Sequence, residues 1–245
     1  MEPAAVGARI VQLSDPHLAA ASGVPAVWPA VLDWLTADPP DLVVLTGDLA
    51  LEDPDDAADR AFAHDLLTTI PAPTVAIPGN HDVGFYGEED RLPARVAAFV
   101  ATWGADRFQR DLAGWRVVGI DAYRLGEDEH DAWFELAVTT TRPVLVFVHQ
   151  PVAGDGDDEW VMAPSARAAF ARAIADADVR VVASGHRHRH HRDGRAVWAP
   201  SLTLVGPDVD LPGDPRPGCL EHRLGPGGGY DVDIVRPWLS ASARP

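Results

Sequence analysis

Asp41-Leu42-Val43-Val44-Leu45-Thr46-Gly47-Asp48 contains the pattern that organises the chain: four apolar residues, then a turn that delivers a carboxylate. An unbroken apolar run of this length between polar residues reads as a strand buried on both faces, as in a largely parallel sheet. The arrangement returns four more times. Ile10 to Leu13 runs into Asp15-Pro16-His17, and Val75 to Ile77 into Gly79-Asn80-His81-Asp82. Val144 to Val148 leads to His149-Gln150-Pro151, and Val179 to Ala183 to Gly185-His186-Arg187-His188. Five strand ends would thus bring oxygen and imidazole donors to one edge of a sheet, where open α/β folds build their sites.

Between these runs the pattern switches to helical periodicity. Strands are expected at 9–13, 41–46, 74–77, 115–121, 143–148 and 179–184, and helices at 25–37, 55–69, 92–103, 129–138 and 165–175. Shorter strands at 196–199, 202–205, 220–224 and 230–235 follow, separated by Gly and Pro. Alternation followed by a run of strands implies an α/β chain with two sheets packed face to face and helices outside. Residues 53–59, 154–159 and 206–218 read as loops. Asp155-Gly156-Asp157-Asp158-Glu159 lacks the twelve-residue spacing of an EF-hand and reads as a solvated loop. The 206–218 loop would cover the cleft or pack against a second subunit; the sequence carries no signal for oligomeric state.

With 245 residues, 47% of them hydrophobic, the chain can bury the core of one domain, taken as 1–245. A formal net charge of -17 argues against a nucleic-acid backbone or an anionic membrane as the main partner. All 20 basic residues are Arg, which excludes Schiff-base catalysis by lysine and a P-loop lysine. A single cysteine, Cys219, excludes an intrachain disulfide and a multi-cysteine zinc site. Met1 to Ala8 has no basic start leading to an apolar stretch, and no run of eighteen apolar residues occurs, so the expectation is a cytoplasmic protein without a signal peptide or membrane span.

Asp, Asn and His at five strand ends suit a borderline divalent metal, which accepts both carboxylate oxygen and imidazole nitrogen. One carboxylate can bridge two ions, and Asp48 is the candidate bridge. Two ions about 3.5–4 Å apart suit in-line attack at phosphorus, so the expected reaction is phosphoester hydrolysis. Clustered imidazoles cost desolvation unless something binds them.

The five blocks, D-x-H, G-D, G-N-H-D, a lone His and G-H-x-H, resemble the signature of the calcineurin-like metallophosphoesterase superfamily, from Ile10 to His188. Within it, the compact length and the Asn80-His81-Asp82 ending look most like the bacterial class that includes cyclic-nucleotide phosphodiesterases. The resemblance implies a four-layer α-β-β-α sandwich of two mixed sheets. It also implies Asp15, His17 and His188 as ligands of one metal, Asn80, His149 and His186 as ligands of the other, and Asp48 as the bridge. His81 would contact the phosphate and protonate the leaving oxygen, and Asp82 would orient His81. The cofactors would be two divalent ions of Mn, Fe, Co or Zn, and the substrate a small phosphoester: a nucleotide, a sugar phosphate or a phospholipid head group. A metal-dependent nuclease, which would need positive charge along its cleft, and a non-catalytic scaffold are the competing readings.

The remaining polar residues carry less. Arg189, His190, His191 and Arg192 extend the histidine-rich loop and could touch a substrate phosphate, but a charge run of this kind reads first as a solvated loop; His64, His130 and His222 read as surface or capping residues. Asp121, Tyr123 and Arg124 follow a strand end and could line the cleft, but they lack a ligand partner. The eight tryptophans read mostly as core.

Overall fold

Each apolar run is a strand whose alternate residues enter two different cores. In the computed structural model, which describes residues 7–51, 53–84, 87–152, 160–207 and 210–241, β1 (Ala8–Leu13) sends Ile10 inward and Val11 and Leu13 outward. The chain continues through α1 (Trp28–Ala37), β2 (Leu42–Thr46), α2 (Ala57–Leu67), β3 (Thr74–Ile77), a single turn α3 (Asn80–Val83) and α4 (Leu92–Trp103). A hairpin of β4 (Phe108–Leu112) and β5 (Trp115–Gly119) leads to α5 (Asp128–Val138), β6 (Val144–Phe147), α6 (Pro164–Ala173) and β7 (Val179–Ser184). The last elements are β8 (His191–Asp193), β9 (Ala196–Trp198), β10 (Cys219–Leu224), β11 (Tyr230–Val235) and α7 (Pro237–Ala241).

Two mixed sheets result. One runs β11-β10-β1-β2-β3, with β1, β2 and β3 parallel and β10 antiparallel to both its neighbours. The other runs β4-β5-β6-β7-β9-β8, parallel except for its two edge strands. Ile10, Leu42, Val44 and Leu220 of the first sheet share a core with Trp115, Val117, Leu145, Phe147 and Val181 of the second. Val11, Leu13, Val43 and Leu45 pack outward on residues of α1, α2 and α4. Val118, Val144 and Val146 pack on α5 and α6. The layers are therefore α-β-β-α. Because β1, β2 and β3 are parallel, as are β5, β6 and β7, their C-terminal ends gather at one edge of each sheet.

Three expectations are corrected. Residues 202–205 are no strand: the Ser201 hydroxyl accepts from the backbone N–H of Thr203 (3.2 Å) and Leu204 (2.9 Å), which turns the chain, and Val205 is exposed. Residues 189–192 are no solvated loop. Arg189 is buried and donates to the carbonyls of Leu211 and Pro207, while His191 and Arg192 belong to β8. These contacts tie Pro207 and Leu211 back onto their own chain, helped by paired bonds between the His190 and Asp214 backbones (2.8 Å each). His130 and His222 are fully buried, not at the surface: His130 bonds the Asp121 carbonyl (2.9 Å) and Arg107 (2.8 Å). His64, by contrast, is part-exposed against the Trp103 ring. Trp28 and Trp115 are buried in the cores. The acidic stretch 155–159 lies outside the described residues.

Candidate metal centre

The loops after β1 and β2 run side by side, joined by Asp15 N–H to Gly47 O (3.1 Å), His17 N–H to Asp48 O (3.0 Å) and Leu18 N–H to Leu49 O (2.9 Å). The loops after β6 and β7 are tied by Gly185 N–H to His149 O (2.9 Å). Across the sheets, the His186 N–H donates to both oxygens of Asp15 (3.1 Å). Glycine is required where the loops converge: a Cβ on Gly79 would overlap the Asp48 carboxylate, and one on Gly185 would overlap the Ser14 hydroxyl.

All seven candidate ligands come together. Donor atoms of Asp15, His17, Asp48 and His188 lie within 4.8 Å of one another, and so do those of Asp48, His149 and His186. Asp48 is common to both sets, as a bridging carboxylate must be. Asn80 joins the second set, with Oδ1 3.2 Å from His149 Nε2. Every one of these residues is buried except His17 and His188, which are partly so.

The backbone partners of the histidines fix which ring atoms face the pocket. His149 Nδ1 lies 2.8 Å from the Thr46 carbonyl, which can only accept, so Nδ1 carries the proton and Nε2 points its lone pair inward. That lone pair faces Asp48 Oδ2 at 3.3 Å, Asn80 Oδ1 at 3.2 Å and His186 Nδ1 at 3.2 Å. In the same way, His17 Nδ1 donates to Leu51 O (3.3 Å), turning Nε2 towards His188 Nε2 at 3.0 Å and Asp48 Oδ2 at 3.7 Å. Converging lone pairs and carboxylate oxygens repel unless a proton or a cation sits among them. His186 Nε2 is buried with no hydrogen-bond partner.

Electrostatics point the same way. Burial opposes ionisation of Asp48, yet His149 and His17 beside it hold the carboxyl well below the usual range. Burial likewise opposes charge on His149, and Asp48 overrides it, lifting the imidazole to about 10: with no cation beside it, a second proton sits on Nε2, where the lone pair would otherwise face a metal. The carboxylates thus demand positive charge inside a buried pocket. A mixed set of carboxylate, amide and imidazole donors fits borderline divalent ions there.

His81 is held at the rim of this pocket. Its backbone N–H donates to Asp48 Oδ1 (2.9 Å), and its ring meets the His17 ring edge-on at 4.8 Å. Asp82 accepts from the backbone N–H of Gly79 (2.9 Å) and Leu49 (3.1 Å), so it braces the loops after β2 and β3. Burial, then the nearby Asp48, push its carboxyl up to about 7. Two features were not singled out from sequence. Trp160 packs its ring 5.3 Å from that of His186, and no motif marks a tryptophan there. Ser201 donates to the Asp15 carbonyl (2.7 Å) from the 202–205 turn. Asp121 caps a 3-10 turn of Ala122–Arg124, in which Arg124 pairs with Asp106 and Glu127, both at 2.7 Å.

Comparison with known proteins agrees with this geometry. The chain is 30% identical over 173 residues to bovine (Bos taurus) serine/threonine-protein phosphatase CPPED1, covering 62% of this chain and 54% of that protein, so it spans about half the length of that relative. It is 25% identical to a probable cyclic nucleotide phosphodiesterase of a Synechococcus strain, over 93% of this chain and 92% of that one. Among solved structures, the fold matches a purple acid phosphatase from yellow lupin (Lupinus luteus; TM-score 0.70, 12% identity, 96% of this chain and 52% of that one). It also matches a dimetal phosphatase from Danio rerio (TM-score 0.63, 15% identity, 96% and 97%). The model of the calcineurin-like phosphoesterase family matches residues 8–190, three quarters of the sequence, and the chain belongs to that family.

Proposed function

We propose that this chain is a dimetal-dependent phosphoester hydrolase acting on a small phosphoester, with a phosphodiester as the first candidate. The observation that carries the reading is Asp48, shared by two donor sets whose lone pairs converge. Asp15, His17 and His188 would hold one ion, Asn80, His149 and His186 the other, and Asp48 would bridge them. When bound, two such ions, of Mn, Fe or Zn, supply Lewis-acid activation of water and of the phosphoryl group. The chain's own part is to place that pair and to move a proton. As the oxygen of a water that has released one proton to solvent bonds to phosphorus and the ester P–O bond breaks, His81 would give its proton to the leaving oxygen, a task that suits an imidazole. Asp82 fixes the backbone from which His81 projects. The relatives differ in their named substrates, and the cyanobacterial phosphodiesterase, which matches nearly end to end, favours a diester.

The test strips the purified chain with chelator, restores Mn, Fe or Zn, and compares bis-p-nitrophenyl phosphate with p-nitrophenyl phosphate. The expected result is metal-restored hydrolysis, faster on the diester and absent in Asp48→Ala. No hydrolysis with any metal would overturn the proposal, and preference for the monoester would reassign the substrate class.

A further inference from the structure

A line of buried polar side chains runs through the otherwise apolar space between the sheets and ends on Asp15. Tyr230 Oη lies 2.8 Å from His222 Nδ1, and His222 Nε2 lies 3.0 Å from Gln12 Oε1. Gln12 Nε2 donates to Thr46 Oγ1 (2.9 Å), Thr46 Oγ1 to Ser14 Oγ (2.8 Å), and Ser14 Oγ to Asp15 Oδ2. Gln12, Ser14, Thr46 and His222 are fully buried, and the Phe147 ring meets His222 edge-on at 5.4 Å.

Only one arrangement of protons satisfies every member. An ionised Asp15 can only accept, so Ser14 donates to it and must accept from Thr46. Thr46, having spent its proton, accepts from the Gln12 amide nitrogen. The Ser184 carbonyl, 3.4 Å from that nitrogen, selects the same amide orientation. Gln12 Oε1 then takes the His222 Nε2 proton, and His222 Nδ1 accepts from the Tyr230 hydroxyl. All five donors point towards Asp15. A buried chain aligned this way polarises each successive bond, whereas one missing member leaves desolvated groups unpaired.

We infer that Tyr230, His222, Gln12, Thr46 and Ser14 are positioning residues for Asp15: both its oxygens share the His186 N–H (3.1 Å), but Ser14 loads Oδ2 alone and so makes Oδ1, which lies 3.3 Å from His188 Nε2, the oxygen offered to a cation. This rests on the reading of Asp15 as a ligand. Outer partners of metal ligands control affinity as well as orientation. The consequence is selective: the ion held by Asp15, His17 and His188 depends on a tyrosine at the start of β11, while the ion held by Asn80, His149 and His186 does not.

The experiment titrates Mn2+ into the full chain, following heat and the Mn2+ electron spin resonance spectrum, for wild type, Ser14→Ala, Gln12→Met and Tyr230→Phe. Val43→Ala, on the outer face of β2, is the control for general destabilisation. Expected is a loss of roughly 10-fold or more in one of the two affinities for Ser14→Ala and Gln12→Met, with the other nearly unchanged. The spectrum of a coupled pair should give way to that of a single ion. Tyr230→Phe, which keeps its ring and therefore its packing, should show a smaller loss at the same site. Wild-type binding in all three variants, equal loss of both ions, or the same selective loss in Val43→Ala would overturn the relay while leaving the metal reading intact. A wild-type chain that takes up no Mn2+ would overturn the metal reading and the relay with it.

Discussion

Five of the six non-glycine residues with positive φ among the described residues are candidate ligands: Asp15 (49°), His17 (44°), Asp48 (53°), His186 (66°) and His188 (51°). Left-handed backbone costs an L-residue roughly 1–2 kcal/mol, and it persists where a site over-determines it. The strain makes an unusual prediction at Asp48. Alanine is ordinarily more stable than glycine, but here Asp48→Gly relieves the strained backbone that Asp48→Ala keeps. In chelator, urea unfolding should find the Gly variant more stable by about 1–2 kcal/mol, and the ordinary order would sink the argument. His81→Ala should keep both ions while kcat falls roughly 100-fold or more, and metal loss in that variant would make His81 a ligand. The clustering of the candidate ligands was legible in the sequence because each stands at the end of an apolar run where an imidazole, amide or carboxylate has no packing reason to be. His222 was not legible. It sits mid-strand, and its partner Gln12 lies 210 residues away, a distance that no local pattern spans.

Elements were legible where burial enforces a period and illegible where it does not. The sequence marks 92–103 as a helix and 230–235 as a strand, and the structure gives both the same bounds. Phe108–Leu112 was missed because its middle residues, Gln109, Arg110 and Asp111, are exposed on an edge strand. β8, three polar residues long, is missed for the same reason. Residues 202–205 mislead in the opposite sense: apolar, but captured by the Ser201 hydroxyl before they can pair. The β4–β5 hairpin supports a prediction of its own. Leu112 pairs with Trp115, leaving Ala113 (φ 48°) and Gly114 (φ 83°) as a two-residue turn with both φ positive, which favours Asn-Gly. Ala113→Asn should raise stability by roughly 0.5–1 kcal/mol, part of the left-handed cost, and a lower urea midpoint would refute it. At the end of β5, Asp121 is fully buried; Oδ1 accepts from Tyr123 N–H (2.9 Å) and Oδ2 has no hydrogen-bond partner. Burial, then Asp106, push its carboxyl up to about 8, against 3.8 for an ordinary one. Between those values the folded chain keeps a proton that the unfolded chain has released, so this group costs stability as pH rises. Asp121→Asn lacks that cost. Its stability relative to wild type should therefore grow from pH 4 to pH 8 by up to about 1.4 kcal/mol per unit, then level off. A gap constant across that range would refute the assignment.

At the scale of the molecule, the proposed ions would lie between the two sheets rather than on one of them. Asp15, His17, Asp48 and Asn80 come from loops of the first sheet, and His149, His186 and His188 from loops of the second. The ions would thus act as cross-links at the open edge of the sandwich, where the His186 N–H on Asp15 is one direct tie. A ligand bound only by the folded state adds RT ln(1 + [L]/Kd), about 2.7 kcal/mol at a hundred times its dissociation constant. For a chain of this size that is roughly 5–10 °C in Tm for each ion. Calorimetry should show such a fall on chelation, and no metal dependence in Asp48→Ala. A net charge of -17 offers a rival cause, since cations could instead relieve repulsion over the acidic surface. Salt separates the two. At about 1 M the Debye length is about 3 Å, so surface repulsion is screened away while a buried carboxylate pair is barely affected. The Tm difference between metal-loaded and chelated protein should persist in that salt; if it closes, the stabilisation belongs to the surface and the cross-link between the sheets is wrong.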